Sequence, residues 1–342
     1  MNIPAFRRSL LHWFARAKRP MPWRKTRDAY AIWVSEMMLQ QTTVATVIPY
    51  YERFMDRFPN VMALAASDED AVLSLWSGLG YYSRARNLRA AARVIVDKHD
   101  GRFPRTVDEA LTLPGVGPYT AAAVTSMAYA NPAAVVDGNV RRVLSRLHAR
   151  RALSDRTSWE RAQELLAPRS PGAWNEAMME LGATICTPRK PACARCPVAA
   201  HCLGRERPEF WSEGKPRREA VAIRVQMALV ERAGRILLTR NPPGDLMGGL
   251  YELPHSGMPR KSQPQAAIVE RYRGVIRFEA RPLVTLRHAV THHRIAASIL
   301  KGKLEGKRPP LGLKFHPISE VLSLPLGGLT RKALRAAGFT LG

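Results

Sequence analysis

The chain has 342 residues, an apolar fraction of 46% and an excess of 53 Lys and Arg over 28 Asp and Glu, a formal net charge of +25. That length allows two or three domains with a sizeable core, and the excess of positive charge favours a nucleic-acid partner over a merely solvated basic surface or an anionic membrane. No apolar run is long enough to span a bilayer, so no membrane-embedded role is expected.

The first twenty residues, "MNIPAFRRSLLHWFARAKRP", are basic, amphipathic and free of acids. A transit peptide has that composition, but a first helix with Phe6, Leu10, Trp13 and Phe14 on its core face explains the spacing better. Without a secretory signal the expected compartment is the cytosol.

Residues 28–180 read as a series of short helices. In "WVSEMMLQQTT" (33–43) a single carboxylate, Glu36, shares a helical face with Ile32, Trp33, Leu39, Gln40 and Thr43. Burial on a partly apolar face raises a carboxyl pKa, so Glu36 is either a buried acid paired with an arginine or a proton donor. "SDEDAVLSLWSGLG" (67–80) opens with Ser67 as N-cap and an acidic first turn, and the chain turns at Gly78 and Gly80. "SRARNLRAAARVIVDKH" (83–99) is helical and groups Arg86, Arg89 and Arg93 on a second face.

"LPGVGPYT" (113–120) places Gly115 and Gly117 before a helix with Pro118 at its first position. Two glycines permit a tight turn, and the following helix N-terminus offers unpaired N–H groups to an anion. This is the helix–hairpin–helix pattern, which holds a DNA phosphate without reading sequence. Asp137 is an N-cap candidate for the amphipathic "DGNVRRVLSRLHAR" (137–150).

All four cysteines, Cys186, Cys193, Cys196 and Cys202, fall within 186–202 in a C-x6-C-x2-C-x5-C pattern. Disulfides are unusual in a reducing compartment, and four clustered thiolates make a closed, structural site for zinc or for an iron–sulfur cluster. Residues 205–219 are charged, broken by Pro and Gly, and read as a linker. Beyond it "AVAIRVQMALVERAGRILLTR" (220–240) is a hairpin turning at Ala233-Gly234, and residues 281–300 also read as strands. An all-α half, 1–204, is thus joined to an α+β half, 220–342.

Together "PWRKTRDAYAIWVSEMMLQQT", "GLGYYSRARNL", "LPGVGPYTAAAV", "VVDGNVRRVLSRL", "WNEAMMELGATICT" and the cysteine loop resemble the helix–hairpin–helix DNA glycosylases of the endonuclease III superfamily. Within it they look like the MutY-type adenine glycosylases, which remove adenine mispaired with 8-oxoguanine. The resemblance implies a 4Fe–4S cluster on the four cysteines. It makes Glu36 the acid that protonates adenine at N7 and Asp137 the anion that stabilises the sugar cation. It places Asn139 and Tyr119 beside them, and lines the adenine pocket with Trp23, Arg24 and Glu176.

Gln41 and Thr42 match contacts to the orphan 8-oxoguanine, Tyr81 matches an aromatic wedge in the base stack, and Gly115 and Gly117 match the phosphate-holding hairpin. Bifunctional superfamily members carry Lys where this chain has Tyr119, so the rival reading, an endonuclease III-like glycosylase and lyase acting on oxidised pyrimidines, lacks its nucleophile. "GRILLTRNPPGDLMGGLYELP" resembles a Nudix-like lesion-recognition domain. There Val290-Thr291-His292 stands where the family has Phe-Ser-His, keeping a hydroxyl and an imidazole at Thr291 and His292. No Glu-rich metal box follows "YELP", so recognition without phosphohydrolase activity is expected. The expected partner is duplex DNA with A opposite 8-oxoguanine or G, bound by a monomer away from any membrane.

Overall fold

The computed structural model describes residues 1–210, 219–242, 247–257, 268–290, 292–321 and 323–339. Eleven helices come first: α1 (Ile3–Ala17), α2 (Ala29–Leu39), α3 (Val44–Arg57), α4 (Val61–Ala66), α5 (Glu69–Trp76), α6 (Ser83–Lys98), α7 (Val107–Leu111), α8 (Pro118–Tyr129), α9 (Gly138–Leu147), α10 (Asp155–Leu165) and α11 (Pro171–Thr184). A 3₁₀ turn, Pro22–Lys25, joins α1 to α2. Then come β1 (Val221–Arg232), β2 (Arg235–Arg240), β3 (Tyr251–Glu252), α12 (Ile268–Arg271), β4 (Ile276–Val290), β5 (His293–Leu304), β6 (Leu313–Pro317), α13 (Ile318–Val321) and α14 (Gly328–Ala336).

The chain divides into two compact units that are not consecutive in sequence: 1–66 with 87–216, and 67–86 with 217–342. In the first unit α1 buries Phe6, Leu10 and Phe14, with Trp13 only partly covered, against Val143, Leu144, Trp174 and Leu181. Asp28 caps α2 by accepting from the amides of Tyr30 and Ala31, and every residue from Ala29 to Met38 is buried. The face drawn for Glu36 from spacing is therefore one part of a helix enclosed on all sides. Thr106 and Glu109 form a reciprocal capping box on α7, a device that satisfies two end amides at once.

Gly115 has φ +74, and a Cβ there would lie 2.6 Å from the Asn87 Cβ, so both the hairpin turn and the close approach of α6 require glycine. Gly117 has an ordinary φ of −96 and open space where a Cβ would project.

In the second unit the strands form one six-stranded sheet in the order β3-β2-β1-β5-β4, with β6 on β2. β1 and β5 run parallel from Val221↔His293 to Val230↔Gly302, while β4 and β5 are antiparallel. The β1–β2 turn is Ala233-Gly234, both at positive φ, as a two-residue hairpin needs. Packed within the same unit, α5 is capped by Asp68 rather than by Ser67, because Asp68 Oδ1 reaches the Ala71 amide at 2.7 Å. Asp70 pairs with Arg240, Ser77 Oγ donates to the Leu326 carbonyl at 2.8 Å, and Arg86 donates to the Gly248 carbonyl at 2.7 Å. The expected linker lies mostly outside the described residues, at 211–218.

Candidate active site and cysteine loop

A cavity of about 1230 Å³ opens among α2, α8, α9 and α11 in the first unit, and Glu36 is part of its wall. Glu36 is 4% exposed, and its Oε2 accepts a hydrogen bond of 2.7 Å from the Tyr119 hydroxyl. Burial pushes its pKa up to about 7; the neighbouring charges of Asp137 and Glu176 add to the rise, while the Tyr119 hydrogen bond and Arg24 oppose it. Burial beside that carboxylate also holds Tyr119 well above the usual tyrosine range. Glu36 is thus an acid that carries a proton near neutrality, and Tyr119 stays a neutral donor.

Asp137 caps α9: Oδ1 accepts from the Val140 amide at 2.7 Å, and Oδ2 accepts from Asn139 Nδ2 at 2.9 Å. Cap geometry holds this carboxylate in one rotamer. Asn139 is held in turn by Arg142 Nη2, which donates to its Oδ1 at 2.8 Å and to the Gly182 carbonyl at 2.7 Å. Close packing of α11 on α9 is possible only because residue 182 is glycine, since a Cβ there would stand 2.7 Å from the Asn139 Cβ.

Arg24, in the 3₁₀ turn, donates from Nε to Glu176 at 2.9 Å and from Nη2 to Glu180 at 3.0 Å. Trp23 is buried with its ring 5.2 Å from that of Tyr51, edge-on. Gln41, at φ +57, and Thr42 line the cavity just past α2, and Gly115 and Gly117 line it from the turn before α8.

The four cysteines line a second, small cavity beyond α11. None is in a disulfide. Among the described residues no three His, Cys, Asp or Glu side chains gather closely enough to hold a single metal ion. All four cysteines face the same small cavity, and four thiolates are the ligand set of an iron–sulfur cluster. Arg146, 3% exposed, anchors the loop by donating to Cys186 Sγ at 3.2 Å, the Thr187 carbonyl at 2.8 Å and the Pro188 carbonyl at 2.7 Å. Arg142 Nε donates to the Cys186 carbonyl at 2.8 Å. Burial pushes the Cys196 thiol up to about 11 and raises Cys202 as well, so filling this site with iron displaces protons.

Residues 34–168 match the model of the HhH-GPD superfamily base excision DNA repair proteins, 186–202 that of the iron-sulfur binding domain of endonuclease III, and 225–336 that of the NUDIX domain. The human protein named adenine DNA glycosylase is 36% identical, across 98% of this chain and 74% of its own length. The chain belongs to the adenine DNA glycosylase family. The mouse adenine DNA glycosylase is 42% identical across 79% of this chain and 55% of its own length, so the chain spans about half of that relative. Among solved structures a thermostable thymine-DNA glycosylase matches with a TM-score of 0.56 at 32% identity, over 60% of this chain and 96% of that one. A trapped endonuclease III–DNA covalent intermediate shares the fold, with a TM-score of 0.53 over 61% of this chain and 99% of that one, at 24% identity.

For a member of this family, the cavity gathers Trp23, Arg24, Glu36, Gln41, Thr42, Gly115, Gly117, Tyr119, Asp137, Asn139 and Glu176, drawn from distant parts of the sequence. Tyr81 belongs to the second unit; at φ +49 and 49% exposed it is no core residue, and Arg84 sits 5.5 Å over its ring. His292, just before β5, lies with its ring 4.0 Å from that of His293 at a tilt of 37°, and Thr291 lies outside the described residues. Arg19, Arg142, Arg146, Glu180 and Gly182 escaped the sequence reading. Three of these had a signal: Arg142 and Arg146 on α9, and Glu180 with Glu176 on α11, are like charges four apart on one helix, a spacing that repels unless each finds an opposite partner.

Proposed function

We propose that the chain is a monofunctional adenine DNA glycosylase, which hydrolyses the N-glycosidic bond of adenine opposite 8-oxoguanine or guanine in duplex DNA. The observation that carries this reading is the pair of carboxylates in one cavity, Glu36 protonated near neutrality and Asp137 fixed by its cap. Glu36 gives its proton to N7, so that adenine leaves as a neutral base. Asp137 faces the cationic sugar that remains, and Asn139 holds Asp137 or the attacking water in place.

A glycosylase must extrude its target base from the duplex, and the cavity walled by Glu36 and Asp137 receives it in this reading. Gly117 leaves room beside the α8 N-terminus for a backbone phosphate, and the net charge of +25 supports binding of duplex DNA in the cytosol. Gln41, Thr42, Tyr81, Thr291 and His292 are read as contacts to the orphan base and the stack. The C-terminal sheet is read as lesion recognition without hydrolase chemistry. Cys186, Cys193, Cys196 and Cys202 would hold a structural iron–sulfur cluster in the loop that Arg142 and Arg146 tie to α9.

The test uses labelled duplexes carrying A opposite 8-oxoguanine, A opposite G, and thymine glycol, with half of each reaction treated with alkali. Adenine is expected to be released from the first two, with strand breaks only after alkali. Strand cleavage of thymine glycol without alkali would overturn the reading in favour of a lyase.

A further inference from the structure

Glu180 is 1% exposed and lies one helical turn beyond Glu176 on α11. Its two oxygens take up two guanidinium groups. Oε1 accepts from Arg19 Nε at 2.6 Å, and Oε2 accepts from Arg19 Nη2 and from Arg24 Nη2, both at 3.0 Å. Burial opposes its charge, but the two arginines outweigh burial and hold its pKa below the usual carboxylate value. A buried carboxylate with this set of donors is rigid and ionised.

The consequence falls on Arg24. Its Nη1 is taken by the Arg19 carbonyl at 3.1 Å and its Nη2 by Glu180, so only Nε, at 2.9 Å, reaches Glu176. An unrestrained arginine grips a carboxylate with two parallel bonds. Here the second arm is occupied elsewhere, and Glu176 Oε2 accepts no hydrogen bond among the described residues. Glu176 is also a wall residue of the cavity.

We propose that Glu180 is a positioning residue for base recognition: by occupying the second arm of Arg24 it keeps Glu176 singly bonded, so that one Glu176 oxygen stays open to an amino group on the base in the cavity. The inference rests on the adenine reading above. It makes Glu180, which contacts no base, a determinant of how strongly the exocyclic amine counts.

The experiment measures single-turnover excision, opposite G, of adenine and of unsubstituted purine, which lacks the amine. The readout is the ratio of the two rates in the full chain and in Glu180→Gln. Gln accepts fewer charged hydrogen bonds and releases Arg24 to close on Glu176. The adenine-to-purine ratio should then fall by about tenfold, the effect of one hydrogen bond to a charged group, while purine excision changes little. Arg19→Gln leaves the Glu180–Arg24 contact in place and should keep the parent ratio. If Glu180→Gln folds poorly, Glu180→Asp, with its charge kept but its reach shortened, should lose part of the same ratio. A parent-like ratio in the Glu180 variants, or equal losses on both bases, would overturn the inference. Failure of the parent chain to release adenine at all would instead refute the function it rests on.

Discussion

Glu36 is an acid whose ionisation the fold opposes, and that opposition has a sign in both activity and stability. Its folded pKa of about 7 lies above the ordinary value of 4.5. Between those values the native state keeps a proton that the unfolded chain has released. The stabilisation from this group is complete below pH 4.5 and is lost as pH rises through 7. Above that the buried carboxylate costs roughly 3 kcal/mol. Glu36→Gln keeps an acceptor for the Tyr119 hydroxyl but has no charge to bury and no proton to give. Its excess stability over the parent chain should therefore grow from none near pH 4.5 to roughly that amount at pH 8, measured by denaturant unfolding. The same variant should lose about 10²–10⁴-fold in single-turnover excision, and Asp137→Asn should also fail while binding the duplex. In the parent chain excision should slow as pH rises past 7, where Glu36 gives up its proton. A Glu36→Gln chain that excised adenine within a few-fold of the parent would make Glu36 a structural acid only. Part of this was legible in the sequence, because a lone Glu among Trp33, Met37, Met38 and Leu39 must be buried. Its partner Tyr119, 83 positions away, obeys no local period and came only from resemblance.

At the scale of elements, α9 joins the two sites. Its cap is Asp137, and Arg142 and Arg146, one turn apart near its end, reach into the cysteine loop. Hydrogen bonds run from Asp137 to Asn139, to Arg142 and to the Cys186 carbonyl without a break. The two arginines nevertheless do different things. Arg146 donates to four loop acceptors, the carbonyls of Cys186, Thr187 and Pro188 and the Cys186 sulfur, whereas Arg142 binds the loop once and Asn139 once. Arg146→Ala should therefore purify with much less than the roughly four irons of a full cluster. Arg142→Leu should keep most of its iron and visible absorbance but slow excision by about tenfold or more, since a charged hydrogen bond that positions Asn139 is gone. Iron content and single-turnover rate, measured on both variants, check the contrast; identical profiles would mean that α9 is only a strut. Caps and turns on these elements were readable, since Asp137 and the Ala233-Gly234 hairpin follow from local chemistry. Ser67 and Asp68 stand in succession and both suit a cap by chemistry, so only the geometry selects Asp68.

At the scale of the whole molecule, composition gives the charge but not the partition. Affinity for duplex DNA should fall linearly in a log–log salt plot, with a slope of about 0.9 per phosphate neutralised; a flat response would remove the electrostatic argument drawn from +25. The partition is harder to read, because the contacts that recruit residues 67–86 to the second unit, Asp70 with Arg240 and Ser77 with Leu326, span 170 and 249 positions and leave no periodic trace. They have a consequence for dissection of the chain. A fragment ending at residue 216 keeps α2, α8, α9, α11 and the cysteine loop, but it strips α5 and the Tyr81 turn of Arg240, Gly248, Leu326 and Arg331. The fragment should retain iron. Its amides at 67–86 should exchange with solvent much faster than in the full chain, while those of α8 and α11 keep their protection. Excision by the fragment should suffer for this reason as well as for any loss of lesion recognition. The variant Asp70→Asn with Arg86→Gln in the full chain separates the two causes, because it loosens the segment and leaves the sheet in place. Unchanged exchange at 67–86 in the fragment would show that the segment holds itself, and the loss of activity would then belong to the sheet alone.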